Sequence, residues 1–198
     1  MNFNTSYFEN FYFFTNNLTE ENEKNLSKFK NIAIIYNQNS TSSNPKELRK
    51  IMKFCKKNKI KAYIKDDIKK AKSVNANGVF LSSNNKRKCI INNNFNQKIN
   101  FKIIGSAHSQ NDFFFKKLQG CKDIFLSPLF KNQKYSQNKI LNICKFNLIS
   151  NKWTCNLFAL GGINSSNLKK IFMTKSKGIG FISFINDLKI KKPVYFFK

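Results

Sequence analysis

Histidine occurs once in this chain of 198 residues, at His108, and arginine only at Arg49 and Arg87. The five cysteines (Cys55, Cys89, Cys121, Cys144 and Cys155) form no CxxC pair. With a single His, that spacing argues against a Cys/His zinc site, and an odd count reads as free, mostly buried thiols. Residues 1–10 lack a basic region followed by an apolar one, and no apolar run approaches the roughly 20 residues of a membrane span. A cytoplasmic protein without membrane association is expected. Acidic residues are also few, 10 against 36 basic, for a formal net charge of +26. Such a charge invites a nucleic-acid reading. The basic residues, however, run from Lys24 to Lys198 without gathering in a stripe, and no aromatic-basic motif accompanies them. Lys, Asn, Ile and Phe all have A/T-rich codons, so genome composition explains the bias more simply. Attraction of anions follows as an unspecific consequence, and nucleic acid is not an expected partner.

The 41% of hydrophobic residues excludes a disordered chain. The most informative stretch is Phe158-Ala159-Leu160-Gly161-Gly162-Ile163-Asn164. Apolar residues run into paired glycines, and Asn164 stands as a helix N-cap ahead of Leu168, Ile171 and Phe172 at helical spacing. Strand, tight turn and helix are predicted. The glycines let main-chain N–H groups approach a ligand, and the helix N-terminus favours an anion. A second such junction, Gly178-Ile179-Gly180-Phe181-Ile182-Ser183, follows at once. Two in succession near the C-terminus match the phosphate site of a (β/α)8 barrel, built by the loops after its last two strands.

Earlier in the chain, residues 11–15 form an aromatic strand candidate, and Thr19-Glu20-Glu21 a helix start. Residues 32–36 are a continuous apolar run of the kind a buried parallel strand shows. Asn44-Pro45-Lys46-Glu47 then reads as cap, first-turn Pro and a Glu reaching back, ahead of Leu48, Ile51, Met52 and Cys55 on one helical face. Strands are further predicted at 62–64, 78–81, 101–104 and 123–126. Short helices should carry Ile68 and Ala71, then residues 113–118. Residues 82–100 are Asn-rich with no predicted helix, and residues 131–153 form a polar loop and a less regular segment. Alternating β and α with eight strands predicts an α/β fold, a (β/α)8 TIM barrel, as one domain over 1–198. Barrels typically need about 250 residues, so short or missing outer helices are expected. The tail at 191–198 should cover the barrel wall, with a dimer contact as the alternative use of its aromatics.

With the strands placed, the chain resembles the thiamine phosphate synthase/TenI family over nearly its whole length. The matching segments are Gly78-Val79-Phe80-Leu81, Ser106-Ala107-His108-Ser109, residues 123–130, residues 159–164 and residues 178–185. The resemblance implies a thiazole phosphate as ligand, a pyrimidine diphosphate as second substrate in the synthase branch, and Mg²⁺ to neutralise the departing pyrophosphate. It places Gly161, Gly162, Gly180, Ile182 and Ser183 on the phosphate. It makes His108 the acid/base of a thiazole tautomerase, because an imidazole can give and take a proton near neutral pH. His108 could equally be an ordinary polar residue at a strand end, and Ser106 could orient substrate or cap the next helix.

The chain departs from the family on the other half of the site. Asn37 and Asn39 stand where Arg and Lys are expected, and Lys65 replaces the Asn before Asp66. Asp66 remains as a metal ligand candidate, but the second metal carboxylate falls on Asn85. Lys134 and Lys131, with Lys86, are the cations left for pyrophosphate, and they are point charges rather than bidentate clamps. Two lost cations and a lost carboxylate remove most of the electrostatic basis for pyrophosphate departure, which argues against Mg²⁺ here. A synthase, a tautomerase and a non-catalytic binder of thiazole or thiamine phosphate all remain open, as does a homo-oligomer.

Overall fold

Eight apolar runs become eight parallel strands, each hydrogen-bonded to the next and the last to the first. They are β1 (Asn10–Thr15), β2 (Ile32–Tyr36), β3 (Lys61–Lys65), β4 (Gly78–Leu81), β5 (Lys102–Ala107), β6 (Asp123–Leu126), β7 (Asn156–Leu160) and β8 (Gly178–Phe181). The structure is a computed structural model that describes residues 10–27, 29, 31–37, 44–87, 101–131, 140–183 and 185. Closure comes from β1 pairing with β8, Tyr12 opposite Gly180. The result is the expected (β/α)8 barrel.

Strand alternation divides the apolar residues into two cores. Inside the barrel lie Tyr12, Phe14, Ala33, Ile35, Tyr63, Phe80, Ile104, Phe125 and Phe158. Their rings meet edge to face: Tyr12 and Phe125 at 5.1 Å and 89°, Phe14 and Phe80 at 5.0 Å and 83°. Such contacts add about 0.5–1.5 kcal/mol per pair beyond area burial. Burial also pushes the Tyr63 phenol up to about 12, so it stays protonated as a packing group. The interior is solid, and ligands meet only its ends. The second core lies between the outward strand faces and the helices.

The helices are α1 (Glu20–Leu26), α2 (Pro45–Lys57), α3 (Ile68–Ser73), α4 (Gln110–Leu118), α5 (Asn142–Lys152) and α6 (Leu168–Ile171). In α2 the Asn44 side chain accepts from the N–H groups of Lys46 and Glu47, and Leu48, Ile51 and Cys55 are buried. Glu47 does not complete the expected reciprocal bond, since its Oε2 is buried without a hydrogen-bond partner. Three other expectations need correction. Residues 142–152 form a helix, because Phe146 is buried and Ile149 and Trp153 pack on the same side. Strand β5 runs on to Ala107. Asn164 does not cap α6; its Oδ1 closes a turn by accepting from the N–H groups of Ser166 and Asn167, and the helix starts at Leu168. Between β4 and β5 no helix occurs among the described residues. The 191–198 tail lies outside them.

Candidate active site at the C-terminal end of the barrel

All eight strands end on one rim, and the loops that follow them carry the predicted site residues. After β7 the chain turns through Gly161 and Gly162, whose φ of 91° and 72° lie in the left-handed region. Gly162 is required here, because a Cβ would stand 2.4 Å from the Phe130 carbonyl oxygen. The loop after β6 docks backbone to backbone on this turn. Leu129 N–H donates to the Leu160 carbonyl at 2.9 Å, and Phe130 N–H to that of Gly161 at 3.1 Å. Exposed Lys131 therefore sits beside the glycine pair. Asn167 Nδ2 ties the far side by donating to the Gly162 carbonyl at 2.6 Å. Leu160 lies opposite Gly180 in the β7–β8 ladder, so the glycine turn and Ile182 leave neighbouring strands at the same rim. Ile182 and Ser183 are exposed. Gly180 itself lies inside the barrel against Phe125 and Phe14, where it makes room for the aromatic core. At four residues α6 is too short for a substantial dipole, so an anion at this rim would depend on loop N–H groups.

His108 follows β5. Its Nδ1 lies 2.7 Å from the Ser127 carbonyl oxygen and 3.1 Å from the Ser127 hydroxyl. A carbonyl only accepts, so Nδ1 carries a proton, which places the lone pair of the neutral ring on Nε2. The backbone N–H of His108 donates to Asp112 Oδ2 at 3.0 Å, and Lys86 pairs with Asp112. Burial alone would raise the Asp112 carboxyl, but hydrogen bonds from Lys86 and His108 N–H, with the Lys86 charge, hold it below the usual carboxylate range. Ser109 caps α4 by accepting from Asp112 N–H at 3.2 Å. Ser106 is not the cap; it is buried in β5, two residues on from Ile104 and so on the barrel's inward face. A cavity of about 230 Å³ borders His108, lined also by Ser109, Leu126, Leu141, Ile149 and Trp153. It lies in the outer wall between α4 and α5, and none of the rim glycines line it.

The loops after β2, β3 and β4 are organised by side chains. Lys65 Nζ donates to Asn37 Oδ1 at 2.8 Å. An Asn and a Lys thus face each other on neighbouring strand ends where the family resemblance calls for Arg and Asn. One cation is kept and moved from the second strand to the third. Asp66, at φ 56°, accepts on Oδ1 from Ser82 N–H at 2.8 Å and from Asn85 Nδ2 at 3.0 Å. Beneath this pair, fully buried Lys116 donates to the Asn85 carbonyl at 2.7 Å and to Gln119 Oε1 at 2.8 Å. Burial lowers the Lys116 ammonium pKa, an effect partly opposed by nearby Cys121 and Asp66.

Mg²⁺ takes octahedral oxygen ligands and is held by one or two carboxylates with substrate phosphates. Asp66 presents an oxygen already occupied by two N–H donors, and position 85 offers an amide N–H rather than a carboxylate. No group of three or more His, Cys, Asp or Glu suited to a metal occurs among the described residues. These residues do not fit the ion. Asn39 and Lys134 lie outside the described residues. Ser127, Lys116 and Gln119 carried no sequence signal as site residues. A lysine in so lysine-rich a chain does not stand out.

Of the described cysteines, Cys55 and Cys121 are buried, and burial pushes both thiols up to about 12. Cys155 is half-buried, and Cys144 alone among the described cysteines is exposed.

Eight parallel strands closed on themselves, with polar side chains and glycine turns gathered at their C-terminal ends, define a (β/α)8 barrel protein. The profile described as Thiamine monophosphate synthase matches residues 13–185, and the chain belongs to that family. A thiamine-phosphate synthase of Prochlorococcus marinus is 38% identical over 88 residues, which are 44% of this chain and 25% of that protein. The chain therefore matches about a quarter of that relative's length. Among solved structures, a thiamine phosphate pyrophosphorylase from Pyrococcus furiosus superposes with a TM-score of 0.69 at 16% identity, covering 94% of this chain and 90% of that one. N-(5'-phosphoribosyl)anthranilate isomerase from the same organism gives 0.60 at 15% identity, covering 93% and 92%. At these identities the structures speak for the fold.

Proposed function

We propose that this protein binds a thiazole phosphate at the rim formed by Gly161, Gly162, Ile182 and Ser183, and that His108 moves a proton on the bound thiazole. The observation that carries this reading is the Ser127 carbonyl on His108 Nδ1, which leaves the lone pair on Nε2. An imidazole held in one tautomer accepts a proton at that atom and returns it elsewhere on the ring, which is the work of a tautomerase. Asp112 orients the backbone of His108. Ser106 faces the same end of the barrel as a polar contact for substrate. Lys131, beside the glycine pair, adds positive charge for the phosphate. The coupling of a pyrimidine diphosphate is disfavoured, because Asp66 and Asn85 do not fit Mg²⁺ and Asn37 supplies no charge. The free cysteines are in keeping with a cytoplasmic protein.

A second reading, a binder without turnover, draws on the same erosion of the β2–β4 half. His108→Ala separates the two. Thiazole tautomer exchange is followed by NMR and affinity by titration. In a tautomerase the variant loses at least about 100-fold in rate while affinity stays within about twofold. Absence of exchange in the unmodified protein, with binding intact, would favour the binder.

A further inference from the structure

The strongest disagreement between this chain and its family lies at the Asp66–Asn85 pair. The Asn85 amide has a fixed orientation, because Nδ2 donates to Asp66 while Oδ1 accepts from Arg87 N–H at 3.3 Å. A flip would set oxygen against oxygen on one side and N–H against N–H on the other. An amide N–H therefore occupies a carboxylate oxygen that a cation would need. The Asn85 backbone is held just as firmly, its carbonyl receiving both Lys116 Nζ and Gln119 Nε2, the latter at 3.0 Å. Gln119 Nε2 also donates to the Arg87 carbonyl at 2.8 Å. Room for the Lys116 stem comes from Gly105, where a Cβ would meet Lys116 Cδ at 2.8 Å. Lys116 is the lysine bonded to the pair; Lys65 and Lys86, adjacent to it in sequence, direct their ammonium groups to Asn37 and Asp112.

We infer that an internal ammonium, Lys116, has taken the place of a divalent cation at the β3–β4 end of the barrel. It fixes the loop at residues 82–87 through the Asn85 carbonyl, with Asn85 in turn bonded to Asp66, and no divalent cation binds at Asp66. A buried charge is retained only where its hydrogen bonds are met, and removing a partner from such a network is costly. The bonds to Asn85 and Gln119 meet that requirement. This inference does not depend on the thiazole reading and concerns the ion alone.

The test is a titration of the full chain with Mn²⁺ alone, read by the electron paramagnetic resonance of the free ion, for the unmodified protein and Asp66→Asn. The expected result is the same non-saturating curve for both. Saturable one-to-one uptake that Asp66→Asn removes overturns the inference. Lys116→Met tests the lock itself. Hydrogen exchange at 82–87 should accelerate at least about tenfold and not recover with Mg²⁺. Unchanged exchange contradicts the lock. Should that variant fail to fold, the Mn²⁺ titration of the unmodified protein still decides.

Discussion

The two halves of the barrel mouth are built from different material. At β6–β8 the shape comes from the main chain: left-handed glycines, a loop stitched to Leu160 and Gly161, and exposed residues after β8. At β2–β4 it comes from side chains: Lys65 on Asn37, Asp66 on Asn85, Lys116 beneath. A backbone site needs only glycine at a few positions and tolerates change elsewhere. A side-chain site depends on the charge at each position, and at 37, 65 and 85 the residues present join in hydrogen bonds where the family resemblance calls for cations and a metal carboxylate. In the proposed function the first half holds the phosphate, and the second lacks the charges that a metal and pyrophosphate would need.

The comparison breaks most sharply at His108. His108→Ala should remove about two to four orders of magnitude of tautomer exchange, followed by NMR, with little change in affinity. Gly162→Val comes next. It forces a β-branched residue to φ 72° and drives Cβ into the Phe130 carbonyl, so denaturant titration should show a loss of roughly 2–4 kcal/mol, with weakened thiazole phosphate binding. On the opposite half, Asn85→Asp replaces the donor to Asp66 with a second carboxylate. Stability near pH 7 should fall by about 1–3 kcal/mol, the cost of an unpaired polar contact. A neutral effect there would show that the Asp66–Asn85 bond does not hold the loop.

The smallest effect expected is the pH dependence of Asp112. Its folded carboxyl lies below the unfolded value near 4, so its contribution is present above about pH 4 and is lost as pH falls through the lower folded value. The Lys86 side chain is 43% exposed, which limits the ion pair to a few tenths to about 1 kcal/mol. Comparing Asp112→Asn with the unmodified protein at pH 7 and pH 3 should show that difference shrink with acid. A difference that persists at pH 3 would assign it to packing rather than charge.

Strands β2, β4 and β6 were legible residue by residue, because a parallel strand buried on both faces reads as an uninterrupted apolar run. Helix α2 was legible from its Asn cap and Pro. Helix α5 was not, since its Asn-rich sequence lacks a conventional cap. Its N-cap is Leu141, which has no capping side chain, and Asn142, at φ 53°, accepts from Lys145 N–H at 3.0 Å within the first turn. The glycine turns were visible as motifs, and the substitutions at 37, 65 and 85 as departures from the family. Their meaning was not. That Lys65 would bond Asn37 depends on strand register, and that Lys116 would reach Asn85 depends on α4 packing over β5. Neither register nor helix packing is written in local sequence.

In the proposed function a thiazole phosphate binds at this rim without metal-dependent coupling. Isothermal titration with thiazole phosphate, run in a chelator and again with Mg²⁺ and pyrimidine diphosphate, tests it most directly when each sample is then assayed for thiamine phosphate. Equal thiazole phosphate affinity in both, and no thiamine phosphate in either, are expected. Binding that requires Mg²⁺, or formation of thiamine phosphate when it is added, would contradict it.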